Sequence, residues 1–239
     1  MLIGARLALW GAAKPRVPTA RDYVQDGLIA MWDGIENAGW GQHDEALPVA
    51  DWPSLVNSSN ITRATAASDI SSCYAFTDNS VSLTDASSAN SQRLVFTASG
   101  LNAQAPFTLD VCLKGAICSL GNFYWAAYGS GTFRIQNSNN AYGYFGGTGT
   151  YNEVLGSAVT STVACSTSGI TGYANGVQNS ESQYPVKSGT GLLRVNVLGT
   201  RQVRVEGSEL FCLRLYSRAL TAEEIAANYA VDKARFNLP

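Results

Sequence analysis

The last thirty residues of the sequence constrain its fold more than any other segment. Residues 210 to 216 alternate between two faces, which is typical of a half-buried β-strand. The face predicted to be buried holds Phe211, Leu213 and Leu215, and the opposite face holds Cys212, Arg214 and Tyr216. Thr221 and Glu224 have the spacing of a capping box, which predicts a helix that begins at Ala222. The chain is therefore expected to close with one strand and one capped helix.

The predicted helix has a narrow apolar stripe. Its apolar side holds Ile225, Tyr229 and Phe236, and the side expected to face water holds Glu223, Lys233 and Arg235. Such a helix can seal the end of a β-structure. We also expect the last strand to pair with an opening strand at residues 28 to 32.

The rest of the chain consists of short apolar and β-branched runs separated by Gly, Ser, Thr and Asn, which favour turns. Strands are predicted at residues 28–32, 74–76, 80–83, 92–97, 107–114, 116–120, 123–128, 132–136, 141–145, 161–165, 169–174 and 192–198. Those between residues 107 and 145 follow one another so closely that they predict an antiparallel meander. Because two stacked sheets bury many alternating strands, we expect an all-β, two-sheet antiparallel jelly-roll sandwich with an extended N-terminal arm and a short C-terminal helix.

With 239 residues, of which 46% are hydrophobic, the chain can bury one substantial core and needs no second domain. We assign residues 1–25 to an N-terminal arm or linker and residues 26–239 to the sandwich domain. The arm residues available for docking are Leu2, Ile3, Leu7 and Trp10. Arg6 interrupts the apolar run and Lys14 follows it, an order unlike that of a signal peptide. The arm either packs on its own sandwich or tethers a neighbouring subunit, and both alternatives stay open.

Composition argues against several classes of partner. Only 14% of the residues are charged and the net charge is -2, so the chain lacks the basic field that nonspecific nucleic-acid binding needs. No apolar stretch approaches the roughly 20 residues that cross a bilayer, so we expect no membrane partner.

The five cysteines do not have the spacing of a zinc site, and the chain has a single histidine. The odd cysteine count favours mostly reduced thiols, with one disulfide left open.

Several motifs resemble a known family. The run L-R-L-Y-S-R-A-L-T at residues 213–221, followed by A-E-E-I-A-A-N-Y at residues 222–229, resembles the C-terminal signature of laminin G-like domains. Residues 107–114 resemble the central strand of that family, residues 173–176 its Y-x-N-G hairpin, and residues 27–33 its opening strand. The resemblance covers residues 26 to 236 and implies the concanavalin A-like lectin/glucanase fold.

A second resemblance involves the start of the chain. The run G-A-R-L-A-L-W-G-A at residues 4–12, together with residues 26–44, resembles phage and prophage structural proteins of gut bacteria. This resemblance implies a virion appendage or decoration protein whose arm contacts other virion subunits. It implies localisation in the virion, with a cytoplasmic or cell-surface bacterial protein as the alternative.

Catalytic residues are hard to find in the sequence. The glucanase branch of the fold needs two carboxylates close together, but the strand that resembles its central one offers only Asp110, flanked by Thr108 and Cys112 on the same face. Serine chemistry would need a histidine, and His43 is not accompanied by a G-x-S-x-G motif. We therefore expect a protein that is not an enzyme.

The loop around His43 is dense in polar groups. Asp33, Glu36, Asn37 and Asp44 could supply oxygen ligands to calcium, or their side chains could bind local backbone amides. The spacing is not that of an EF-hand-like loop and favours the local interpretation, as it does for Asp78 and Asp85. We predict no metal site and no cofactor, with calcium left open.

The Tyr- and Asn-rich middle of the chain is the predicted binding surface. Sugar rings stack on aromatic side chains while amides bind their hydroxyls, although alternation along a strand sends half of the aromatics into the core. The candidate glycan-binding residues are Tyr124, Tyr128, Asn139, Asn140, Tyr142 and Tyr144. The sequence thus predicts a noncatalytic carbohydrate-recognition or adhesion module for a bacterial-surface or mucus glycan. The alternative is a purely structural virion assembly protein whose N-terminal arm docks on a neighbouring subunit.

Overall fold

The computed structural model describes residues 16–57, 60–63, 73–84, 94–102, 106–114, 118–125, 129–135, 158–166, 169–182, 192–197 and 207–239. The strands are β1 Leu28–Asp33, β2 Asn60–Arg63, β3 Tyr74–Phe76, β4 Val81–Leu83, β5 Leu94–Asn102, β6 Phe107–Lys114, β7 Cys118–Trp125, β8 Gly129–Ile135, β9 Ala158–Cys165, β10 Ile170–Ala174, β11 Val177–Ser182, β12 Leu192–Val197 and β13 Glu209–Tyr216. The helix α1 spans Ala222–Phe236, and short 3-10 helices span Ala20–Asp22 and Val49–Asp51.

The described strands form two antiparallel sheets. The larger, eight-stranded sheet has the order β11-β10-β9-β6-β13-β4-β3, with β1 also paired to β13. The smaller, five-stranded sheet has the order β2-β5-β12-β7-β8. The predicted all-β, two-sheet antiparallel fold with a short C-terminal helix is therefore confirmed. The arm residues Leu2, Ile3, Leu7 and Trp10 lie outside the described residues.

The predicted end of the chain is confirmed in detail. The α1 helix begins at Ala222, where the Thr221 hydroxyl accepts the Glu224 N–H at 3.3 Å and the Glu224 carboxylate accepts the Thr221 N–H at 2.9 Å. The helix ends at Phe236, and its C-cap Asn237 has a φ of 53°, in the left-handed region. The predicted pairing of the last strand with the opening strand is also present, with Trp32 opposite Leu213.

The predicted meander is wrong at its start, where β6 does not pair with β7. The β6 strand lies in the eight-stranded sheet, whereas β7 and β8 pair with each other in the five-stranded sheet. The two strands predicted at 116–120 and 123–128 are a single strand, β7, whose pairing with β8 is irregular between Leu120 and Phe123. Two further strands, β2 and β11, were not predicted because they carry few apolar residues, and the strand predicted at 141–145 lies outside the described residues.

Large aromatic side chains fill the space between the two sheets. Trp32 of β1 contacts Phe96 of β5 with their ring centroids 4.9 Å apart. Trp52 lies 5.1 Å from Phe76 and 5.8 Å from Phe96, and all four rings are buried. These edge-to-face contacts form the apolar core that joins the sheets.

The outer face of the eight-stranded sheet is covered by α1 and by residues 20–25. This second packing layer includes Met31 of β1 and Tyr216 of β13, together with Ile225 and Phe236 of α1. Ala20 and Tyr23 are also buried in it, which joins the segment before β1 to the rest of the domain. The division between residues 25 and 26 stays a prediction.

The prediction that β13 is half-buried is wrong, because both of its faces are covered. Cys212, Arg214 and Tyr216 have no exposed surface. The pairing of β13 with β6 also shifts register between Leu210 and Cys212, and the Phe211 ring packs 5.2 Å from that of Phe236. A bulge of this kind redirects a side chain, so Phe211 belongs to the helix side of the sheet.

Two smaller findings concern the membrane and the thiols. Within the residues that the structure describes, no helix is long and apolar enough to cross a membrane. Cys73, Cys112, Cys165 and Cys212 are buried thiols outside any disulfide. Burial raises the pKa of the Cys112 and Cys212 thiols well above the ordinary value, which keeps them protonated and unreactive.

Candidate functional site

The predicted glycan patch starts on the five-stranded sheet. Tyr124 lies in β7, where its backbone is opposite Ser130 of β8, and β8 is the last strand in the order of this sheet. The other patch residues, Tyr128, Asn139, Asn140, Tyr142 and Tyr144, lie outside the described residues. The patch therefore stays a prediction, and the structure places only the backbone of Tyr124.

Charged side chains fill the opposite side of the domain, beneath α1. We call this set the charged layer; its members are Asp33, Glu36, Asp110, Arg214, Asp232 and Arg235. None of them is more than 8% exposed. Charged residues are rarely buried to this extent unless they are paired and hydrogen-bonded.

Arg214 of β13 is the centre of the charged layer. Its Nη1 and Nη2 atoms donate to the two carboxylate oxygens of Asp232 at 2.6 and 2.7 Å. Its Nε donates to Asp110 Oδ2 of β6 at 3.1 Å. Thr162 donates to the other Asp110 oxygen and Thr160 to Asp232 Oδ2, each at 2.8 Å. The bidentate contact of Arg214 with Asp232 thus joins the sheet to the helix, whereas its contact with Asp110 joins two strands of the sheet.

Asn228 of α1 connects three elements through one amide group. Its Nδ2 donates to Asp110 Oδ2 at 3.0 Å and to the Tyr216 hydroxyl at 2.9 Å. Its Oδ1 accepts the backbone N–H of Val24 at 2.9 Å. The buried side of α1 is therefore largely polar, unlike the apolar stripe expected from the sequence.

Arg235 is buried, so the prediction that it faces water is wrong. Its Nη1 and Nη2 donate to the Asp33 carboxylate at 2.6 and 2.9 Å, and Nη2 also donates to Glu36 Oε1 at 3.2 Å. A periodic signal for this face was present in the sequence. The buried residues of α1 are Ile225, Asn228, Asp232, Arg235 and Phe236, which recur at helical spacing.

Tyr23 fits between the two arginines. Its ring centroid lies 4.0 Å from Arg214 Cζ and 5.4 Å from Arg235 Cζ, which are cation–π distances. Its hydroxyl donates to Asp232 Oδ1 at 2.7 Å. The segment before β1 is thus an integral part of the charged layer.

Burial raises the pKa of Asp33 and of Asp110 above the ordinary value. The charge of Arg235 partly offsets this rise for Asp33, and the charge of Arg214 partly offsets it for Asp110. Asp110 has no exposed surface, so its carboxylate cannot contact a substrate while α1 stays in place. Its environment is that of a structural ion pair with Arg214.

The polar groups around His43 mostly bind one another. Asp33 Oδ1 accepts the N–H groups of Ile35 and Glu36 at 3.0 and 2.9 Å. Asn37 and Asp44 exchange two hydrogen bonds of 2.8 Å, which fasten the ends of the loop together. Across the described ranges, no group of His, Cys, Asp and Glu residues is suited to hold a metal ion. These contacts favour the local interpretation of the loop. Asp85 lies outside the described residues.

One surface feature of this loop was not predicted. Glu36 Oε1 accepts the Ala20 N–H at 2.8 Å, and Glu36 Oε2 accepts the Gly41 N–H at 2.7 Å. Consequently Arg21 and Trp40, the neighbours of these two residues, meet at the surface, where Arg21 Cζ lies 4.4 Å from the indole centroid. We call Arg21 and Trp40 the surface pair.

No protein-family model matches the sequence, and no curated protein matches it. Several solved structures share its fold. A Trypanosoma rangeli sialidase in complex with the inhibitor DANA has a TM-score of 0.57 at 14% identity, over 92% of this chain and 34% of the sialidase chain. The same sialidase in complex with sialic acid has a TM-score of 0.53 at 13% identity, over 92% and 34% of the two chains.

The binding domain of botulinum neurotoxin serotype D has a TM-score of 0.53 at 10% identity, over 86% of this chain and 52% of that domain. The chain thus spans about a third of the sialidase and about half of the neurotoxin binding domain. At such low identities the likeness establishes the fold alone. The protein has a two-sheet antiparallel β-sandwich fold of the kind found in parts of those proteins.

Proposed function

We propose that the protein is a noncatalytic carbohydrate-recognition module that binds a bacterial-surface or mucus glycan at the β7–β8 edge of the five-stranded sheet. The observation that carries this proposal is the contrast between the two sheets. The outer face of the eight-stranded sheet is covered by α1 and residues 20–25. The Tyr- and Asn-rich segment instead follows β7 and β8 of the other sheet.

The ligand class is supported by the solved structures that share the fold. One of them is a sialidase in complex with sialic acid, and another is the binding domain of a neurotoxin. Aromatic rings and amides such as those of Tyr142, Tyr144 and Asn140 are the side chains that sugar recognition uses. The noncatalytic part of the proposal is supported by Asp110, whose carboxylate is buried and paired with Arg214.

Membership of the laminin G-like family and a place in a phage virion are further parts of the proposal. Both rest on the sequence resemblances alone. The glycan-binding activity can be tested separately from them.

A glycan array tests the proposal directly. We expect wild-type protein to bind, and a Tyr142→Ala/Tyr144→Ala double variant to lose binding because the stacking rings are gone. Tyr142→Phe/Tyr144→Phe is the matched control, since it keeps the rings and should retain most of the affinity. If the alanine variant is folded by circular dichroism and binds like the wild type, the patch is assigned to the wrong residues. An array on which the wild type binds nothing would refute glycan recognition.

A second candidate function, assembly through the N-terminal arm, is favoured by one observation. Ala20 and Tyr23 are buried against the domain, so the chain is anchored to it at these two residues. Deletion of residues 1–15 leaves that anchor intact. If the arm drives assembly, the truncated protein should lose the oligomers that light scattering detects in the full chain, while its glycan binding stays unchanged.

A further inference from the structure

We propose that the surface pair, Arg21 and Trp40, binds the carboxylate of an acidic sugar. This inference rests on the proposed glycan recognition and adds a second contact region at the loop of residues 36–44. It assigns the preferred ligand to a class, glycans that carry carboxylated residues.

The first argument is the state of the Arg21 guanidinium. It is exposed and lies over the half-buried Trp40 ring at 4.4 Å. In the part of the chain that the structure describes, Arg21 has no carboxylate partner, whereas Arg16 pairs with Asp22 and Arg218 with Glu224. Stacking uses the flat face of a guanidinium and leaves its N–H donors in the plane available for a carboxylate.

The second argument is that the pair is held in position from below. Glu36 binds the backbone on both sides of the pair, through the N–H groups of Ala20 and Gly41. Glu36 is itself held by Arg235 at 3.2 Å, which connects it to the charged layer. A side chain that is already ordered loses less entropy on binding, so this support favours a ligand contact.

The third argument concerns the groups beside the pair. Gly41 has a φ of +70°, and among the described atoms none lies within 4 Å of the position that a Cβ would take there. Gln42 and His43 are exposed next to it. His43 Nδ1 lies 2.8 Å from the Ile35 carbonyl oxygen. A carbonyl can only accept, so neutral His43 has its proton on Nδ1 and presents Nε2 as an acceptor for a sugar hydroxyl.

The local charge selects among anionic ligands. Asp44 and Glu45 are exposed in the loop that carries Trp40. A densely charged polyanion such as a nucleic acid would be repelled by these carboxylates. A single carboxylate on an otherwise neutral sugar can be bound by Arg21 without that cost.

The test compares glucuronoxylan, a neutral xylan that carries occasional carboxylated side residues, with the same polymer after reduction of its carboxyl groups. Isothermal titration calorimetry should show tighter binding of the wild type to the carboxylated polymer. Arg21→Gln should weaken that binding about tenfold, since it removes a charge-assisted contact, and should leave binding to the reduced polymer unchanged. Trp40→Leu should weaken binding to the carboxylated polymer too, because it removes the platform that orients Arg21.

Lys233→Gln is the matched control. Lys233 is an exposed cation on α1, and within the described residues it forms no ion pair, so its loss changes the net charge equally without touching the surface pair. Equal affinities of the Arg21 and Lys233 variants for the carboxylated polymer would overturn the inference, as would a wild type that binds neither polymer. Array binding that is abolished by the Tyr142/Tyr144 alanine variant but unaffected by Arg21→Gln would leave the proposed function standing alone.

Discussion

The two buried layers of this domain are built on opposite principles. Between the sheets, Trp32, Trp52, Phe76 and Phe96 make apolar contacts, and the indole N–H groups of both tryptophans have no hydrogen-bond partner among the described atoms. Beneath α1, every carboxylate oxygen of the charged layer accepts at least one hydrogen bond. Among the described residues, the apolar layer thus contains two indole N–H groups without an acceptor, whereas each carboxylate oxygen of the charged layer has a donor.

This difference separates two contributions to the fold. Burial of apolar surface supplies stability but has no direction, so it can hold the sheets together without fixing a unique contact. A bidentate ion pair such as that of Arg214 with Asp232 has a required geometry. We infer that the charged layer determines where α1 and the segment around Tyr23 sit on the sheet.

The largest effect is expected from Arg214→Met, which leaves Asp110 and Asp232 buried without their cation. Breaking a buried pair in this way costs about 3–5 kcal/mol of unfolding free energy, measurable by urea denaturation. Replacing Arg214, Asp110 and Asp232 together by apolar residues should cost less, because no charge is then left unpaired. A triple variant less stable than the single one would contradict this view of the charged layer.

Tyr23→Phe should have the next largest effect. It removes the hydroxyl that donates to Asp232 while keeping the ring between the two arginines. A hydrogen bond to a charged group contributes about 1.5–3 kcal/mol, so thermal and urea unfolding should show a loss of that size. Tyr229→Phe is the control, since its hydroxyl donates to the exposed Pro239 carbonyl at 3.2 Å and its removal should cost little. Similar losses for the two variants would argue against a special role for the buried contact.

Trp32→Phe examines the apolar layer by the same approach. Its indole N–H has no hydrogen-bond partner in the described part of the chain, so the cost is limited to packing around a smaller ring, about 1 kcal/mol. The variant should therefore be more stable than Tyr23→Phe in the same urea titration, although it deletes more atoms. The reverse order would indicate that the indole N–H does contribute.

The smallest effect is a pH dependence confined to the charged layer. Burial raises the pKa of Asp110 in the folded protein above its value in the unfolded chain, which is about 3.9. The stability that Asp110 contributes is therefore fully present below the unfolded pKa and is lost as pH rises through the folded pKa. The stability difference between wild type and Asp110→Asn should therefore shrink as pH rises.

Glu224 provides a control of opposite sign. Hydrogen bonds from Arg218 lower its pKa, so its contribution is present above the unfolded pKa and is lost as pH falls through the folded value. The difference between wild type and Glu224→Gln should shrink toward low pH. Parallel pH profiles for the two variants would show that the buried and exposed carboxylates do not differ in this respect.

Local sequence signals predicted the parts of the fold that depend on neighbouring residues. The capping box at Thr221 and the presence of the strands β6 and β13 could be predicted from spacing alone, and these predictions were confirmed. The charged layer could not be predicted this way, because Asp110 meets Arg214 and Asp33 meets Arg235 across long separations in the chain. A polar side of a helix normally faces water. In α1 the polar side is buried, because it packs on a sheet that carries charged partners for it.

The same limit applies to the candidate site. The strand that carries Tyr124 was predicted, although its boundaries were not, because a period-two pattern marks a strand without giving its pairing. Arg21 and Trp40 lie far apart in sequence terms and carry no motif. They meet at the surface where Glu36 binds the backbone beside each of them.

Tyr23 and α1 also place both ends of the described chain on one side of the domain. Val24 is bonded to Asn228, and Pro239 accepts the hydroxyl of Tyr229 on the same helix. A protein fused after Pro239 would be attached on the α1 side, behind the eight-stranded sheet. Copies attached through this end to a bead or a fusion scaffold would therefore turn the five-stranded sheet outward.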